Sequence, residues 1–63
     1  MPVITVDIGI LNNRESKAEL VQALTKAASL ATQIPENKFI VLINELERDN
    51  IGVGGRLLSD VLK

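Results

Sequence analysis

The segment Lys38 to Leu46, KFIVLINEL, is largely apolar on both alternate faces, with Phe39, Val41 and Ile43 on one and Lys38, Ile40, Leu42 and Asn44 on the other. Successive side chains of a strand point to opposite sides, so both sides of this one need cover. The rest of the chain offers little of it. From Val3 to Ile8, β-branched residues alternate, with Ile4, Val6 and Ile8 on one side and Val3, Thr5 and Asp7 on the other, which predicts a first strand. Between the two, Leu20, Val21, Leu24, Ala27, Ala28 and Ala31 recur at three- and four-residue steps against Glu19, Gln22, Lys26 and Ser29, the pattern of one amphipathic helix. Asn13 or Ser16 can cap it, Ser16 with Glu19 in capping-box spacing, so the helix starts near Arg14 or Lys17. It ends near Gln33, because Pro35 clashes with a continuing helix and drives Ile34 into extended conformation.

Strand, helix, strand at this spacing predicts a right-handed crossover with the two strands parallel. The expected fold class is therefore α/β (α+β), a β-α-β unit occupying residues 1–63 as a single domain. One helix covers one face of the sheet, which leaves Ile40 and Leu42 bare, and parallel sheets are normally covered on both sides. A chain of 63 residues without cysteine also buries too little surface to be stable alone. A second subunit is the expected cover. Further on, IGVGGR from Ile51 to Arg56 suits a tight turn or short hairpin, with no clear helix after it. Leu57, Leu58, Val61 and Leu62 are expected to pack on a neighbouring chain.

Absent residue types narrow the chemistry. With no cysteine and no histidine, disulfides, Cys/His zinc sites, thiolate nucleophiles and imidazole bases are excluded, and no metal or cofactor is expected. Seven basic residues against eight acidic, with Phe39 the lone aromatic, provide neither the basic stripe nor the stacking platform of a nucleic-acid binder. The start MPVITVDIGIL is interrupted by Asp7 and has no basic leader, so it does not read as a signal peptide. No apolar run reaches the length of about 18 residues that marks a membrane span. The expectation is a soluble cytoplasmic chain.

Carboxylates, lysines and the N-terminal amine remain as proton carriers. Proline at position 2 permits removal of Met1, which would expose a secondary amine. A free α-amino group titrates at about 7.7–8.0, so modest desolvation or a nearby cation brings it to neutrality while it is still basic. The plainer reading is that Pro2 opens an edge strand, where a missing N–H does no harm. Lys38, Arg14, Arg48 and Arg56 are candidate cations for an anionic substrate. Lys38 stands out because it shares the bare strand face with Ile40 and Leu42. Glu45, Glu47 and Asp49 read as a solvated acidic turn. Gly52 to Gly55 could cradle an anion with backbone N–H groups, but the lysine and spacing of a P-loop are missing.

Taken together, Met-Pro at the start, strand, helix from about residue 14, Pro35, second strand and ELERDNIGVGG from Glu45 to Gly55 resemble the 4-oxalocrotonate tautomerase family over essentially the whole chain. The resemblance implies β-α-β subunits with a C-terminal hairpin that dimerise into four-stranded sheets and assemble further, commonly as a homo-oligomeric hexamer, a trimer of dimers. It implies that Pro2 moves a proton between carbon atoms, or between carbon and oxygen, in a small anionic 2-oxo or enol acid. In the family, arginines bind the substrate carboxylates and an aromatic residue lines an apolar pocket. A gap-free match puts Asn12 and Ile40 at the arginine positions and Ile51 at the aromatic one. Arg14 and Lys38 are the nearby cations that could substitute, so the expected substrate-binding set is Arg14, Lys38, Ile40 and Ile51 around catalytic Pro2. Two other readings stay open: a noncatalytic oligomeric binding or scaffold protein on the same fold, and a proline-dependent dehalogenase or decarboxylase.

Overall fold

The computed structural model describes residues 1–62. Strand β1, Val3–Gly9, leads into helix α1, Arg14–Thr32, and strand β2, Ile40–Leu46, returns parallel to β1. A tight hairpin follows, β3 at Gly52–Val53 and β4 at Arg56–Leu57, and then a short helix α2, Leu58–Val61. The β-α-β unit and C-terminal hairpin are as the sequence predicts.

The register pairs Val3 with Ile40, Thr5 with Leu42 and Asp7 with Asn44 on one face, and Ile4 with Val41, Val6 with Ile43 and Ile8 with Glu45 on the other. The second set is half-buried and the first exposed, so α1 covers one face only. Leu42 is 51% exposed and Val3 49%. Among the described residues none is fully buried. The chain's radius of gyration is 14.9 Å, against about 11 Å for a compact domain of this length. Its accessible area is 4970 Å², roughly 1,000 Å² above the area expected for a folded monomer of its mass.

The helix starts one turn earlier than a Ser16 cap would put it. Asn13 is the cap: its Oδ1 accepts the N–H of Glu15 at 2.8 Å and of Ser16 at 3.3 Å, which satisfies two of the free donors of the first turn. Ser16 then lies inside the helix, and the capping box with Glu19 does not form. Ala27 and Ala31, expected on the covered stripe, are exposed, whereas Thr25 and Ser29 are half-buried. Ser29 tolerates that position because its hydroxyl donates to the Ile34 carbonyl at 2.6 Å. The chain reverses at Gln33, in left-handed conformation with φ 60°, just before Pro35.

Two differences concern the second half. Lys38 is not part of β2, because Glu36–Lys38 form a single 3₁₀ turn in which the Lys38 N–H donates to Pro35 O at 3.0 Å and the Phe39 N–H to Glu36 O at 3.1 Å. Strand pairing begins only at Ile40. A short helix does follow the hairpin: α2 packs back on the 3₁₀ turn Arg48–Asn50, anchored where the Leu58 N–H donates to Ile51 O at 2.7 Å. Leu58 is half-buried there, while Leu57, Val61 and Leu62 stay exposed. The hairpin turns on Gly54 and Gly55, with φ 59° and 84°, the two positive dihedrals that a two-residue type I′ connection requires.

Candidate functional site

Pro2 sits half-buried at the head of β1, its carbonyl accepting the Ile40 N–H at 3.0 Å. That bond extends the β1–β2 ladder by one step and fixes Pro2 beside the first residue of β2. Lys38, two residues earlier, is exposed at the same end of the sheet. Its position is set by the 3₁₀ turn, so it does not share the bare strand face with Ile40 and Leu42. Three of the expected residues, Pro2, Lys38 and Ile40, thus gather at the N-terminal end of the strands.

Arg14 and Ile51 lie at the other end. Arg14 opens α1 after the Gly9 end of β1, and Ile51 follows the turn that leaves the Leu46 end of β2. Seven paired residues separate these ends, roughly 20 Å at the rise of an extended chain. Within one chain Arg14 and Ile51 therefore do not meet Pro2. A groove also belongs to this distal end: a cleft of about 600 Å³ lined by Gly9, Ile10, Leu46, Arg48, Ile51 and Leu62, with Glu47, Asp49 and Leu58 completing its wall. It is a mostly apolar trough with one guanidinium and two carboxylates at its rim. Arg14 lines a separate, shallower depression with Lys17, Ala18, Val21 and Gln22.

Glu45 is not the solvated surface acid that its neighbourhood in the sequence suggests. It lies on the helix-covered face, its side chain 20% exposed, and pairs with Lys17 of α1. Its other oxygen accepts the Leu11 N–H at 2.9 Å. The bonded Lys17 ammonium, followed by the Leu11 N–H, holds the Glu45 carboxyl below its ordinary pKa. One carboxylate thereby ties the β1–α1 loop, which includes Asn12 at φ 51°, to the second strand. The signal was in the alternation: Glu45 continues the series Val41, Ile43. Among the described residues no cluster of acidic side chains is arranged to hold a metal ion.

The family model described as tautomerase enzyme matches residues 2–61, nearly the whole chain. The chain belongs to the tautomerase family. A 2-hydroxymuconate tautomerase of Bacillus subtilis is 36% identical to it over 61 residues, covering 97% of this chain and 98% of the relative. Among solved structures, a homologue of 4-oxalocrotonate tautomerase superposes with TM-score 0.86 at 36% identity, covering 94% of this chain and 97% of the other. A heterohexameric 4-oxalocrotonate tautomerase from Chloroflexus aurantiacus superposes with TM-score 0.86 at 28% identity over 97% of this chain and 98% of its own. The tautomerase match begins at Pro2, the residue at the head of β1.

Proposed function

We propose that this tautomerase is the subunit of a homo-oligomeric isomerase that interconverts enol and keto forms of a small anionic 2-oxo acid, with the amine of Pro2 as the proton carrier once Met1 is removed. The observation that carries this reading is the family match running from residue 2 through the hairpin. Met1 is 90% exposed, which leaves it open to processing; while it remains, the Pro2 nitrogen is an amide without useful basicity.

The chemistry requires the secondary amine of Pro2 in its neutral form. The Pro2 nitrogen takes the proton of the enol hydroxyl, charge spreads over the conjugated oxygen and carbon, and the resulting ammonium returns a proton to carbon, which restores the amine. A cation near the developing enolate lowers that barrier. Lys38 stands at the Pro2 end of the same chain. Arg14 and the groove lie at the distal end, so they would come from another copy.

Assembly makes such a meeting possible. β1 and β2 form a two-stranded sheet, and antiparallel pairing of a free edge with its own copy gives a four-stranded sheet in which the Pro2 end of one chain lies beside the Gly9 end of the next. The bare face then supports a trimer of such dimers. The excess area of roughly 1,000 Å² per chain is of the order that one specific contact buries on each partner, about 800 Å².

A scaffold role is the second reading, favoured by the neutral residues Asn12 and Ile40 where the resemblance expects arginines. Intact mass of the purified protein, followed by tautomerisation of phenylenolpyruvate and 2-hydroxymuconate by wild type and Pro2→Ala, separates the two. Pro2-dependent turnover supports the isomerase. A processed, assembled protein that turns over neither compound sinks it in favour of the scaffold.

A further inference from the structure

On the bare sheet face one polar pair interrupts the apolar pattern. Asp7 and Asn44 are register partners, and the Asn44 Nδ2 donates to Asp7 Oδ1 at 3.0 Å. One step before them stand Thr5 and Leu42, and one step after them Gly9 and Leu46. A carboxylate has about four acceptor sites and an amide two N–H donors, and among the described residues this is the one side-chain hydrogen bond that either makes. In water the remaining sites are satisfied at no cost. Once the face is covered they need partners, because a buried charge without them is strongly unfavourable. Val3, Ile40, Leu42 and Leu46 cannot supply any, and Thr5 offers one hydroxyl, which among the described residues makes no bond to the pair.

The pair itself limits what can cover it. A two-fold contact is isologous: residue i meets j, and j meets i. An Asp beside an Asn is self-complementary under that operation, since the second N–H of each amide can reach the free oxygen of the opposite carboxylate. Resting on the oligomeric reading above, we infer that Asp7 and Asn44 form an assembly key that selects a second copy of this chain across a two-fold axis, each Asn44 donating to the Asp7 of the opposite copy. The key fixes the register of one face on the other, which aliphatic side chains alone define weakly. A partner without a donor opposite Asp7 is rejected, because it would bury the carboxylate with the Asn44 amide as its one side-chain donor.

The test exploits the symmetry. Asp7→Asn gives a chain with two amides at the key, and Asn44→Asp a chain with two carboxylates. Alone, the Asn44→Asp chain should assemble at least about tenfold more weakly than wild type, the loss expected for a charge-assisted hydrogen bond. When the two variants are co-refolded in equal amounts, one of them labelled with ¹⁵N, native mass spectrometry should find contacts between unlike chains well above the binomial share. If the pair served only to join β1 to β2 within a chain, mixing would be random, and a binomial distribution overturns the inference. Should the Asn44→Asp chain fail to fold even in the mixture, Asn44→Ala decides: its far-UV circular dichroism should match wild type while its assembly weakens about tenfold, and undiminished assembly overturns the key. A monomeric wild type would remove the oligomeric reading and the key together, whereas an oligomeric wild type with random mixing removes the key alone.

Discussion

The two ends of the β1–β2 sheet are built to different standards. At the Gly9 end, Glu45 ties the loop to β2 through Leu11 and to α1 through Lys17, Asn13 caps the helix, and α2 folds back beside a groove of about 600 Å³. At the Pro2 end the Ile40 N–H donates to the Pro2 carbonyl where the β1–β2 ladder begins, and Lys38 extends from a single turn. The well-braced end has the cleft and Arg14. The other end has Pro2, whose amine the proposed chemistry uses once Met1 is removed. On the proposed reading each end supplies what the other lacks, and joining them takes more than one copy.

Breaking the amine end should have the largest effect. Pro2→Ala is expected to lower kcat/KM for phenylenolpyruvate by about 10²- to 10⁴-fold, the usual contribution of a positioned acid-base group, with oligomer mass unchanged. The cations come next: Arg14→Ala and Lys38→Ala should each raise KM by roughly tenfold, as expected for loss of a charge-assisted hydrogen bond to a carboxylate, and steady-state kinetics reads this directly. Gly54→Ala perturbs the turn between β3 and β4. At φ 59° no atom crowds the new methyl group, yet left-handed backbone costs an L-residue about 1–2 kcal/mol. A lowered urea midpoint should show it, and Gly52→Ala, where φ is not positive, should cost less.

The smallest effect is electrostatic. Because folding lowers the Glu45 pKa, its contribution to stability is fully present above the ordinary glutamate value of about 4.3 and is lost as pH falls through the folded value. Wild type and Glu45→Gln should therefore differ in urea midpoint at neutral pH and converge in acid.

Much of this organisation was legible in the sequence. Alternation of β-branched residues marked both strands, Pro35 marked the end of the helix, and the glycines at 54 and 55 marked the turn. The misreadings came where local hydrogen bonds compete with pattern. Asn13 precedes Ser16 and captures the first-turn donors. Lys38 is drawn into a turn because the carbonyl of Pro35 is available to its N–H. Glu45 looked like one of three surface acids until its alternation with Val41 and Ile43 was placed under α1. The separation of Arg14 and Ile51 from Pro2 was also implicit, since a parallel β-α-β unit puts the two ends of β1 a full strand length apart.

The claim that two ends of different copies complete one site is tested most directly by complementation. Pro2→Ala and Arg14→Ala chains, each poorly active alone, are co-refolded and assayed for tautomerisation of phenylenolpyruvate. Activity well above the sum of the two separate samples is expected, because mixed oligomers then contain sites with an intact amine from one chain and an intact guanidinium from another. No recovery in demonstrably mixed oligomers would place both groups in a single chain's site and contradict the division between the ends.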